Sequence, residues 1–94
     1  MTMGHTPYGY RIENGNAVID ETAATKIRKL YEAYLAGASF ETSAKMAGIE
    51  IQHCGAKRMM ANRHYLGDDF YPAIIDKDTF DKAEAEKQHR VEAL

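Results

Sequence analysis

Tryptophan is absent from this chain, cysteine occurs once, proline twice, and no apolar run is long. Each shortage excludes something. A lone cysteine, Cys54, leaves no partner for an intrachain disulfide and too few thiolates for a multi-cysteine zinc site. It reads as a buried or half-buried small side chain. A bilayer span needs about 18 or more apolar residues in a row, and the polar N-terminus lacks the basic and apolar regions of a signal peptide. No membrane partner is expected, and a cytoplasmic location is the default. His5, His53, His64 and His89 are scattered without a close pair at ligand spacing, so no metal site is expected. Gly4, Gly9 and Gly15 follow turn logic and form no phosphate-cradling loop. Asp68-Asp69 reads as a solvated turn. Ser39 and Ser43 read as a helix cap and a small helix residue. Catalytic residues, and with them a cofactor or an enzymatic role, are not expected.

The composition that remains is that of an ordinary globular chain, 45% hydrophobic and 28% charged over 94 residues, which suits one domain covering 1–94. The net charge of −2 opposes a nucleic-acid partner, because such domains usually carry a basic surface. Its distribution points the other way. From Gln52 to Gly67 the charged residues are Lys57, Arg58 and Arg63, with no acid among them, whereas residues 68–94 hold eight acids against four bases.

Asn14-Gly15 suits the positive φ angles of a two-residue hairpin turn, which sets Tyr10 opposite Ile19 and Ile12 opposite Ala17. Tyr8, Tyr10, Ile12, Ala17 and Ile19 then share one face, for the following helix to cover. Asp20 is a good N-cap for that helix. Ala23, Ala24, Ile27, Leu30, Tyr31, Tyr34 and Leu35 recur at helical spacing, and Gly37 stops it. Ser39 caps a second helix through Ala47, with Gly48 as its stop, and a third runs from about His53 to Ala61 or Asn62. Two short helices joined near Gly48 have the length pattern of a helix-turn-helix, a pattern that many three-helix cores also show. Residues 69–75 read as extended, a third strand or wing with Pro72 at an edge. Asp76 or Asp78 caps a last helix toward Arg90 with a thin stripe of Phe80, Ala83, Lys87 and Val91. The fold class expected is α+β: an N-terminal β-hairpin plus three or four helices with a helix-turn-helix-like core.

Several short stretches stand in a telling order: Pro7-Tyr8-Gly9-Tyr10-Arg11, Val18-Ile19-Asp20, Tyr31-Glu32-Ala33-Tyr34-Leu35-Ala36-Gly37, Met59-Met60-Ala61-Asn62, Tyr65-Leu66-Gly67, and Tyr71-Pro72-Ala73-Ile74-Ile75-Asp76 with Phe80. From Thr6 to about Arg90 the chain resembles the recombinase domain that follows the catalytic domain in large serine recombinases. The resemblance implies a mixed α/β module that grips double-stranded DNA in one half of an attachment site, with the serine nucleophile supplied by a separate N-terminal domain. Ser39 and Ser43 inherit no such role. It also implies a gene carried on a mobile element, acting in DNA recombination. Family members usually have a longer connection before the third helix and a tryptophan near its start; here the connection is short and Gln52-His53 occupy that neighbourhood.

Lys57, Arg58, Arg63 and His64 are the candidate DNA-binding residues, with Lys45, Gln52 and His53 as further contributors. Lys and Arg displace the counterions condensed on phosphates, and Arg can grip a phosphate or a guanine in a fork. A merely solvated helix face is the alternative for three basic residues. Tyr8, Tyr10, Tyr31 and Tyr34 read as core with wet hydroxyls in preference to base-stacking platforms. The acidic last third is expected on the side away from DNA, or against another protein. The competing function is a protein-interaction or dimerisation module, pairing with itself or with a full-length recombinase.

Overall fold

Asn14 and Gly15 both take positive φ, 53° and 79°, as the central pair of a type I′ turn requires. They close an antiparallel hairpin of β1 (Tyr10–Glu13) and β2 (Asn16–Ile19), with Tyr10 opposite Ile19 and Ile12 opposite Ala17, the register expected. Only part of the shared face is covered: Tyr10 and Ala17 are buried, while Ile12 and Tyr8 are exposed. The computed structural model describes residues 6–92, so Gly4 and His5 lie outside it, as does the Glu92 side chain.

Helix α1 (Glu21–Leu35) begins at Asp20, whose carboxylate accepts from the Ala23 N–H. It ends in a paired closure, the Ala38 N–H donating to the Ala33 carbonyl and the Gly37 N–H to Tyr34. Ala24, Ile27, Leu30, Tyr31 and Tyr34 are fully buried along its inner face. Helix α2 (Phe40–Ala47) begins at Ser39, whose Oγ accepts from the Thr42 N–H at 3.1 Å, and closes in the same way through Ile49 and Gly48. Helix α1 packs against α2 and α4 (Lys77–Glu92), and α2 packs against α3 (His53–Met59). The architecture is α+β, a two-stranded hairpin followed by four helices. No helix among the described residues is long and apolar enough to cross a membrane.

Four details differ from expectation. Helix α3 stops at Met59, and Arg63–Leu66 forms a separate 3-10 turn. The Met60 carbonyl, which a longer helix would offer to the His64 N–H, instead accepts from the Tyr31 hydroxyl at 2.8 Å and the Lys87 ammonium at 3.2 Å, while the Asn62 side chain takes that N–H. Residues 69–75 join no strand. Asp68 Oδ1 accepts from the Phe70 and Tyr71 N–H groups, the Asp68 N–H donates to Tyr71, and Ile74 and Ile75 both donate to the Tyr65 carbonyl, so this backbone is already satisfied locally. The stripe on α4 is shorter than expected: Phe80 and Ala83 are buried, but Val91 is exposed. Cys54, expected buried or half-buried, is exposed on α3.

Tyr10, Tyr31 and Tyr34 stand as core and Tyr8 does not; the hydroxyls of Tyr10 and Tyr31 bond protein, not solvent, and that of Tyr34 is buried with no partner among the described residues. The Tyr10 hydroxyl lies between the His64 and Pro72 carbonyls at 2.8 and 2.6 Å, and Tyr65 donates to the Tyr8 carbonyl at 2.8 Å. Burial, with the Asp68 charge behind it, pushes the Tyr10 phenol up to about 12. Gly9 sits under this knot at φ +105°, and a Cβ there would come within 2.5 Å of Ile27 Cδ1 and 2.9 Å of Ile74 Cδ1.

Candidate nucleic-acid interface

Helix α3 buries Ala56 and, just past its end, Met60, which leaves His53, Cys54, Lys57 and Arg58 on the outside. Adjacent residues on a helix diverge by about 100°, so Lys57 and Arg58 serve different sides. Arg58 borders a hollow with Tyr8 and Asn62; Arg63 and His64 border the next one, which Asn62 also lines. Lys57 and His53 face a groove shared with α4. Lys45 and Gln52 flank a fourth hollow at the turn between α2 and α3. All seven candidate residues are exposed, but the fold spreads them over four hollows and brings only Arg58 and Arg63 to either side of one residue, Asn62.

The charges are unequally free. Among the described residues no carboxylate lies within 4 Å of Lys45, Lys57, Arg58 or Arg63, and the same holds for Lys26 and Lys29 on α1. Arg63 lies 5.4 Å from the centre of the buried Phe80 ring, a cation–π placement that steadies its guanidinium. Lys57 and Arg58 also occupy the last turn of α3, where a cation suits the negative end of the helix dipole. His64 is different: its Nδ1 is 2.7 Å from Asp68 Oδ2, so its ring already has a carboxylate partner. Hydrogen bonds from the Tyr71 N–H, the His64 ring and the Phe70 N–H hold the Asp68 carboxyl below its ordinary value.

The acidic last third proves largely self-contained. Lys77, Lys82, Lys87 and Arg90 pair with Asp81, Asp78, Glu84 and Glu86 along α4, Asp68 holds His64, and Asp76 caps α4 through the Thr79 N–H at 2.8 Å. Two residues beside the cations escaped sequence reasoning as site residues. Asn62 organises the 3-10 turn that carries Arg63, and Asn is itself a preferred capping residue. Tyr8, read as core in preference to a base-stacking platform, is instead exposed beside Arg58.

No family model, curated protein or solved structure matches this chain.

Proposed function

We propose that this chain is a non-catalytic domain that binds double-stranded DNA, of the recombinase-domain kind. The observation that carries the reading is the exposure of Lys57, Arg58 and Arg63 around the end of α3 with no carboxylate within 4 Å among the described residues. The ordered short matches along the sequence support it, and Asn62 joins the Arg58 and Arg63 hollows into one stretch of surface. Three phosphate contacts give a log–log salt slope of about −2.7, so raising salt from about 50 to 200 mM weakens binding roughly forty-fold. Replacing Lys57→Ala and Arg58→Ala together brings the slope to about −0.9, a loss of only about 3.5-fold over the same range. Unchanged affinity and slope in that double variant would remove these residues from the interface.

A second reading, a module that pairs with itself or with a full-length recombinase, is favoured by the apolar side chains left outside, Met46 at 65% and Val91 at 63% exposure. Light scattering of the purified chain separates the two. A monomer that shifts a duplex in a gel supports the DNA reading, and a dimer that no longer does so supports the other.

A further inference from the structure

We propose that the groove between α3 and α4 binds a small organic anion with an aliphatic or aromatic body. The groove holds about 300 Å³, at the lower end of what small-molecule sites enclose. Tyr34 and Phe40 stack in its lining with ring centres 4.6 Å apart, and the exposed Val91 adds an aliphatic wall. The charged lining is cationic throughout: Lys57, Lys87 and Arg90, with His53 set edge-on to Phe40 at 5.2 Å.

The cations are not equivalent. Lys87 is met by Glu84 at 2.7 Å and Arg90 by Glu86 at 2.6 Å, whereas Lys57 has no carboxylate within 4 Å among the described residues. Arg90 is further engaged, donating to the Ala38 and Tyr34 carbonyls and lying 3.9 Å from the Tyr34 ring centre. Lys57 is therefore the charge left for a ligand. Apolar rings beside an ammonium that lacks an acceptor fit a carboxylate, sulfonate or phosphate ester on a hydrophobic body. The volume suits a compact molecule, not a length of peptide. This inference stands apart from the DNA reading, although both use Lys57.

Titration of the ¹⁵N-labelled full chain with octanoate tests it, with acetate and octylammonium as controls. Octanoate gives saturable amide shifts centred on Phe40, His53, Lys57 and Val91, while the two controls bind at least about tenfold more weakly. Lys57→Ala weakens octanoate about threefold, the effect of losing one exposed ion pair, and Val91→Asp weakens it roughly tenfold by adding a like charge and removing the wall. Both positions are exposed, and unchanged shifts elsewhere in the spectrum show that each variant is folded. Arg58→Ala, on the other side of α3, leaves octanoate affinity unchanged, although the same variant weakens DNA if the DNA reading holds. Shifts centred beside Tyr8 and Arg58, equal binding of octylammonium, or an unaltered octanoate affinity in Lys57→Ala overturns the assignment. So does a glutamate-rich peptide that occupies the groove more tightly than octanoate.

Discussion

Tyr31 and Tyr34 sit three residues apart on α1, both fully buried, and differ by a single hydrogen bond. Tyr31 donates to the Met60 carbonyl at 2.8 Å, and Tyr34 has no partner for its hydroxyl among the described residues. Removing a bonded hydroxyl and removing an orphaned one have opposite consequences. Tyr31→Phe therefore lowers unfolding stability by about 1 kcal/mol, while Tyr34→Phe is neutral or raises it by up to about 1 kcal/mol, as read from urea melts. Equal losses in the two variants would mean that Tyr34 has a partner after all. Gly9→Ala is the severe case. It combines a φ of +105° with a Cβ driven against two isoleucine tips that are themselves packed in the core, and costs about 3 kcal/mol. Periodicity marked Tyr31 and Tyr34 as core, but nothing in a pattern of residues says which phenol finds an acceptor.

At the scale of elements, legibility follows the range of the chemistry. Asp20, Ser39 and the Asn14-Gly15 pair act on backbone within three residues, so their roles could be read from local sequence. Ser39→Ala, which frees the Thr42 N–H, accordingly destabilises by about 1 kcal/mol, measured by the same urea melts. The end of α3 was not legible, because the donors that take the Met60 carbonyl come from Tyr31 and Lys87, 29 and 27 residues away. The missing third strand has a similar origin, since Asp68 and Tyr65 take up the donors that a ladder would use.

Acid provides a test of the same elements. Asp68 is held below its ordinary value by the Tyr71 N–H, then by His64 and the Phe70 N–H, and Asp76 by the hydroxyl and N–H of Thr79. A depressed folded value means that each carboxylate favours the fold while ionised. The contribution is complete above the ordinary carboxylate value near 3.8 and is lost as pH falls through it toward the folded values. Between about pH 6 and pH 3 the wild-type urea midpoint falls further than that of the variant carrying Asp68→Asn and Asp76→Asn. Identical acid sensitivity in the two proteins would remove both carboxylates from the balance.

For the whole molecule the net charge of −2 describes no single surface, because charge pairing is a property of the fold and not of the composition. Four acids of the last third are matched by its four bases along α4, Asp68 meets His64 and Asp76 caps α4, while the cations of residues 52–67 stay open apart from His64. The sequence separated the two regions correctly but could not show that Lys57 and Arg58 would serve different hollows. Under the DNA reading, dimensions set a bound on how much duplex such a body engages. Its longest axis is 46 Å, which at about 3.4 Å per base pair spans no more than roughly 13 base pairs. Duplexes of about 14 and 28 base pairs should therefore bind one chain with nearly equal affinity per site. Replacing both members of the Lys77–Asp81 and Lys82–Asp78 pairs by alanine should leave both affinities alone, because each pair carries no net charge. A gain of more than about tenfold per site on the longer duplex would mean that two copies must bind together, and would move the weight to the self-pairing reading.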